Sequence, residues 1–244
     1  MKAKTKNTVH TSRTIMFSEL SKVMDFAIEN KDYTTPFNNN IIGKKSNSGI
    51  IKTNRYLKQL YGFDLSDPIF KAFEYFWRVS EENEKRLLSI IYSISRDVLL
   101  AESVDVIRDT IVGEKAAIET LETNIENYNP NRFSPNTRKS MAQNIASSWK
   151  QAGFIEGKVK NIRHQPDINY RVACFAFLLA YLKGDRGDYI WSSLATKALC
   201  LSEKKLRELA IECSNRDLMQ YQYAGSVTSI SFNNLLNKIG IDAN

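Results

Sequence analysis

The chain is poor in the residues that most often announce a chemistry. It has 2 histidines and 3 cysteines among 244 residues. His10 and His164 are far apart, and Cys174, Cys200 and Cys213 stand singly, with no C-x-x-C spacing. An odd, scattered set argues against a disulfide framework and against a zinc site. The cysteines are therefore read as small buried hydrophobes, and neither a metal nor another cofactor is expected. No H-E-x-x-H and no G-x-S-x-G is present, which removes the usual signatures of zinc proteases and α/β-hydrolases. G-K-K-S at 43–46 departs from the phosphate-loop pattern. Asn38 stands where its first glycine belongs, the serine comes one residue late, and no buried strand precedes it. The chain is accordingly expected not to be an enzyme.

Glycine and proline are scarce too, with 10 and 5 residues. That is too few for a sandwich of many short strands. No apolar run approaches the roughly 18 residues of a membrane span. The longest, "VACFAFLLAYL" at 172–182, reads as a buried helix. The opening "MKAKTKNTVHTSR" is basic, but no apolar core follows it, so it does not read as a signal peptide. A cytoplasmic protein without membrane contact is the expectation.

What is present is helical periodicity. Phe17, Leu20, Met24, Ala27 and Ile28 recur at helical spacing, as do Ile69, Phe70, Phe73, Phe76 and Trp77 after Pro68. "EENEKRLLSIIYSISRDVLLAES" is read as one regular helix and "EKAAIETLETNIEN" as another. In "SRDVLLAES", Arg96 and Asp97 are expected to find ionic partners elsewhere in the chain. The turn-rich "YNPNRFSP" marks an internal boundary. The predicted organisation is a flexible basic tail at 1–14, a helical subdomain at 15–128 and a second subdomain at 129–244. The fold class is mostly α, a helical bundle with two short β-hairpins and winged-helix-like elements in the C-terminal half.

Charge is distributed unevenly along the chain. Residues 1–60 carry 11 basic and 4 acidic side chains, residues 61–130 carry 7 and 14, and residues 131–164 carry 7 and 1. An acidic middle between two basic segments is the pattern expected when one face meets a polyanion. In the second basic segment, a helix from Ser134 to Ala152 is followed by "GFIEGKVKNIR", which reads as a hairpin around Gly157. A helix fits the major groove of duplex DNA, and cations on a hairpin reach flanking phosphates. The candidate contacts are Arg132, Arg138, Lys139, Lys150, Lys158, Lys160 and Arg163, with Asn136, Gln143 and Asn144 placed to meet base edges or phosphates. Strand alternation puts Lys158 and Lys160 on one face and Val159 on the other. Lys44, Lys45, Lys52, Arg55 and Lys58 form a further basic group in and before a helix at 50–62. A second helix–hairpin, 202–232, has Tyr221 and Tyr223 but little positive charge, and is read as packing or a protein contact.

Three segments, "NNNIIGKKSNSGIIKTNRYLKQLY", "RLLSIIYSISRDVLLAESVDVI" and "FSPNTRKSMAQNIASSWKQAGFIEGK", together resemble the BrxA-type proteins of bacterial BREX phage-defence systems. The likeness covers roughly residues 35–165. It rests on a Gly-Lys-Lys-Ser loop before an Arg-Tyr helix, an apolar helix with Arg-Asp, and a helix ending in Ala-Gly-Phe. The resemblance implies a small, largely helical, non-catalytic DNA-binding accessory protein whose partners are double-stranded DNA and other defence proteins. The alternative is an assembly subunit whose basic faces bind an acidic protein.

Overall fold

Helix starts are marked in the sequence by capping side chains. Ser46, Asp67, Asp97, Ser134, Asn169, Ser193 and Ser202 each accept a hydrogen bond from an amide in the first turn of the helix they precede. Each such cap stabilises its helix by about 1 kcal/mol. The structure, a computed structural model, describes residues 8–225 and 227–242.

Before the turn-rich segment lie helices α1 (Phe17–Asn30), α2 (Thr35–Asn38), α3 (Asn47–Tyr61), α4 (Pro68–Val79), α5 (Glu82–Ile94), α6 (Val98–Glu102), α7 (Val104–Asp109) and α8 (Ile118–Tyr128). After it come α9 (Pro135–Gln151), a hairpin of β1 (Ile155–Glu156) and β2 (Ile162–Arg163), then α10 (Tyr170–Leu182), α11 (Tyr189–Ser192), α12 (Leu194–Lys197) and α13 (Glu203–Asn215). A second hairpin, β3 (Gln220–Ala224) and β4 (Val227–Ser231), and α14 (Asn233–Ile239) close the chain. The fold is thus mostly helical with two small antiparallel hairpins, as expected. No described helix is long and apolar enough to cross a membrane.

α10 is the axis of the core. Every residue from Val172 to Ala180 is buried, which a helix apolar on all sides requires. Its Phe175 ring lies 5.9 Å from Phe73 and 5.6 Å from Phe76 of α4, and Phe73 lies 4.5 Å from Tyr92 of α5. One hydrophobic cluster runs from Val9 through Ile125 and Met141 to Ile241. The turn at 129–134 joins α8 to α9 without a break in that core.

Three expectations are corrected. The continuous helix expected over 81–103 divides at Ser95–Asp97, because the Asp97 carboxylate caps α6, accepting from the Leu100 amide at 3.1 Å. Residues 114–117 do not open α8. They run extended beside β2, where the Gly113 and Ala116 amides donate to the carbonyls of Arg163 and Asn161, and Glu114 O accepts from the Arg163 amide. Lys115 bridges Ile162 in the same ladder.

The third correction concerns the tail. Residues 8–14 are not a loose segment, while Lys2, Lys4 and Lys6 lie outside the described residues. Val9 and His10 are buried, and the strap from Thr8 to Met16 is pinned along α9. His10 O accepts from Asn144 Nδ2 at 3.1 Å, and the Ile15 amide donates to Ser148 Oγ at 3.0 Å. At its end the Phe17 amide donates to Gln151 Oε1 at 3.0 Å.

Candidate nucleic-acid interface

α9 contains no acidic residue over its 17 positions. Ser134 caps its start and Pro135 occupies the first turn, where a missing amide costs nothing. Its inner face buries Met141, Ala142, Ile145, Ala146, Ser148 and Trp149. Trp149 is fixed on both sides: its indole N–H donates to Ser103 Oγ at 2.8 Å, and its ring meets Phe154 edge-on at 5.1 Å. The opposite face exposes Asn136, Lys139, Ser140 and Gln143. Amides, hydroxyls and a cation with no carboxylate among them suit both phosphate and base edges. Asn144 is half-buried and already bonded to the strap, so it belongs to the scaffold.

The hairpin follows at once. Phe154 and Ile155 anchor it in the core, and Gly157 at φ 80° supplies a left-handed turn that an L side chain resists. The strands are only two residues each, so Lys158, Val159 and Lys160 form the tip rather than alternating along a strand. This corrects the expected two-faced arrangement. All three tip residues are exposed, Val159 to 82%. Lys150 is half-buried and staples helix to tip, donating to Asn161 Oδ1 at 2.9 Å and to Lys158 O at 3.4 Å.

Arg163 is not a surface contact, which corrects its expected role. It is 2% exposed, and its guanidinium donates to Ile107 O at 2.8 Å, to Phe154 O at 3.5 Å, to His164 O and to Gln165 Oε1 at 3.0 Å. The planar fork suits this set of carbonyls, and it joins α7 to the base of the hairpin. Arg138 is also withdrawn from the free cations, because Glu126 of α8 pairs with it at 2.6 Å and Phe133 O accepts from it at 2.8 Å. Arg132 is exposed and lies 5.1 Å over the Phe133 ring. Lys139, Lys158 and Lys160 have no carboxylate partner among the described residues.

The earlier basic group is split. Lys44 pairs with Glu19 at 2.5 Å. Lys45 and Lys52 are exposed and carry no carboxylate partner among the described residues. Arg55 lies 4.6 Å over the Tyr56 ring, with Arg13 of the strap at 5.3 Å from it. A hydrogen bond with Ser12, aided by the two guanidiniums, lowers the Tyr56 phenol below its ordinary value despite partial burial. The strap thus runs between α3 and α9. Among the described residues, no hydrogen bond or ion pair joins Lys45 or Lys52 to the α9 group.

The distant ionic partner expected for Asp97 is His10, and together they form a latch, unforeseen from the sequence, that holds the strap. Asp97 receives the Val9 amide at 2.6 Å and the Thr8 hydroxyl at 2.9 Å, and its Oδ2 lies 3.0 Å from His10 Nδ1. Burial pushes the Asp97 carboxyl up, but His10 and the amides of Val9 and Leu100 outweigh it and hold the group below the usual aspartate value. His10 Nε2 is in turn 2.9 Å from Ser148 Oγ. The order of groups is that of a serine-hydrolase triad. Yet all three residues are shut off from solvent, and Ser148 is engaged by the Ile15 amide and Asn144 O as well. With no opening for a substrate, the arrangement acts as a tether. In the sequence, Arg96-Asp97 beside an apolar stripe signalled a distant ionic partner without showing which residue supplies it.

Among the described residues, no group of three or more His, Cys, Asp or Glu is placed to hold a metal ion. Cys174 and Cys213 are buried, and burial pushes the half-buried Cys200 thiol up to about 11 even with Arg163 beside it. No protein family, curated protein or solved structure matches the chain.

Proposed function

We propose that the chain is a non-catalytic DNA-binding accessory protein of a bacterial phage-defence system. In this reading α9 lies against the major groove, and Lys158 and Lys160 at the hairpin tip reach neighbouring phosphates. The observation that carries the reading is the order α7, extended segment 113–116, α8, α9, hairpin, with the extended segment paired to β2. That order supports a winged helix-turn-helix reading, in which the last helix meets the groove and the hairpin is the wing. The absence of carboxylates from α9 supports it, since each would repel phosphate. Lys139, Lys158 and Lys160 supply the positive charge, and Asn136 and Gln143 are the side chains available to base edges. The defence context rests on the resemblance to BrxA-type proteins alone.

Anisotropy of a labelled duplex, titrated with salt, tests the reading. Counterion release predicts that log K falls with log salt by about 0.9 for each phosphate neutralised. Replacing Lys139, Lys158 and Lys160 together by Ala should flatten that slope and leave thermal unfolding unchanged. If the triple variant binds and responds to salt as the wild type does, the interface is elsewhere. The alternative, an assembly subunit whose basic faces meet an acidic protein, predicts no duplex binding at any salt and recovery with a protein partner.

A further inference from the structure

A cleft of about 820 Å³ opens between the strap, the first turns of α1, α3, α5 and the flank of α9. That volume lies within the roughly 300–1,000 Å³ of small-molecule sites. Four cations line it: Arg13, Lys22, Lys44 and Arg86. Two carboxylates, Glu19 and Glu82, stand against them. Glu19 pairs with Lys44, and Glu82 pairs with Arg86 at 2.9 Å, where both side chains are more than 40% exposed. An exposed i,i+4 pair of this kind is weak, so Arg86, which also donates to Gln151 O at 3.5 Å and lies 4.4 Å over the Phe17 ring, can exchange Glu82 for a better anion. Arg13 donates to its neighbour's carbonyl, Ser12 O, and Lys22 to Ile42 O at 3.4 Å, neither to a carboxylate.

Two further features point to a ligand. Thr53 is 3% exposed and lines the cleft, yet its hydroxyl makes no hydrogen bond among the described residues. A helical threonine ordinarily bonds back to the carbonyl four residues earlier, so an idle hydroxyl at a cavity wall is a donor or acceptor in waiting. The start of α1 also faces the cleft. Met16 precedes it in a left-handed conformation and gives no side-chain cap; in the first turn the Phe17 amide donates to Gln151 Oε1 and the Leu20 amide to Met16 O. The amides of Ser18 and Glu19 lack acceptors among the described residues. Donors and cations in excess of carboxylates are the chemistry of phosphate recognition.

We infer that this cleft binds a phosphate group, with Arg13 and Arg86 as its charge partners and the Thr53 hydroxyl as a neutral hydrogen-bond partner. The phosphate can belong to a free nucleotide or to a nucleic-acid strand end beside α9, whose Asn144 and Gln151 form one wall. The inference does not depend on the duplex-binding reading.

Titration calorimetry of the full chain with inorganic pyrophosphate is the test. Wild type should bind, and Arg13→Gln and Thr53→Val should each weaken binding by about tenfold, the loss expected of one hydrogen bond to an anion. The melting temperature of Thr53→Val should match wild type, since the replacement keeps the shape. Tighter binding of ATP than of adenosine, lost in the same variants, assigns the site to free nucleotides. A gain for a duplex with a terminal phosphate over one without, likewise lost, assigns it to strand ends. The triple lysine variant of α9 and the hairpin tip should keep its pyrophosphate affinity within about twofold, which separates failure here from failure of the groove reading. Absence of binding at about millimolar pyrophosphate, or equal affinity in wild type and both variants, overturns the inference.

Discussion

The two helix–hairpin units, α7 to β2 and α10 to β4, share a plan and differ in surface. In both, a loop or extended segment ahead of the middle helix comes back against the last strand. In the first unit it is residues 113–116 beside β2. In the second it is Gly187 and Asp188 beside β4, where Asp188 Oδ1 accepts from Thr228 Oγ1 at 2.5 Å. A side chain at Gly187 would come within 3.0 Å of Thr228 O. Each unit is tied by one arginine. Arg163 is buried and satisfied by carbonyls and an amide oxygen. Arg207 is part-exposed and donates to Tyr221 OH, Thr228, Glu203 and Asp188 while lying 4.8 Å over Tyr223. The outward faces then part company. α9 has no acid and leads to a lysine tip, whereas α13 mixes Glu203, Lys204, Lys205, Glu208 and Glu212, and its hairpin carries no charge from Gln220 to Ser231. One plan can therefore present an acid-free, lysine-tipped surface or a neutral one, and the choice lies in side chains that the fold does not need.

The largest effect expected from breaking this comparison is at the ties. Arg163→Ala removes a buried guanidinium and strands several acceptors at once, which should cost about 3–5 kcal/mol of stability, read as a lowered denaturant midpoint. Arg207→Ala, in a wetter site, should cost only about 1 kcal/mol by the same measurement. Equal losses would mean that the two ties do not differ as their burial suggests.

The latch sits between these extremes. Asp97→Ala leaves the Val9 amide and the Thr8 hydroxyl without their acceptor and His10 without its ionic neighbour, and should destabilise by about 3 kcal/mol. The pH dependence follows from the sign of the shift. Asp97 is held below the ordinary aspartate value of 3.8 in the folded chain, so its contribution is complete above that value and fades as pH falls through the depressed one. Unfolding midpoints measured from neutral to acid pH should show a loss in wild type that is smaller in Asp97→Asn, the remainder coming from other carboxylates held low in the fold, Glu84 and Asp188 among them. The smallest effect on stability belongs to Lys139, Lys158 and Lys160, whose replacement by Ala should change unfolding by less than about 0.5 kcal/mol.

Much of the helical scaffold was legible because caps and apolar spacing are local signals. Ser134 with Pro135, Ser202, and the stripe at Phe70, Phe73 and Phe76 each mark their element without help from distant residues. The site was legible in part. Lys139, Lys158 and Lys160 were visible as cations lacking nearby acids, and remain so. Arg163 was not distinguishable from them, because its burial depends on α7 and on residues 113–116 lying beside β2. Arg138 was misjudged for a similar reason, since Glu126 reaches it only once α8 packs on α9. The strap escaped notice because Asp97 and His10 are 87 positions apart in sequence. A basic, polar opening segment has no local feature that foretells a buried carboxylate waiting for it.

The central claim is that the first unit, and not the second, meets DNA. Hydrogen exchange of the free and duplex-bound protein compares the two units in one experiment. Slowed exchange on binding is expected across 135–161, with no change across 203–231. Protection confined to 203–231, or spread equally over both units, would contradict it.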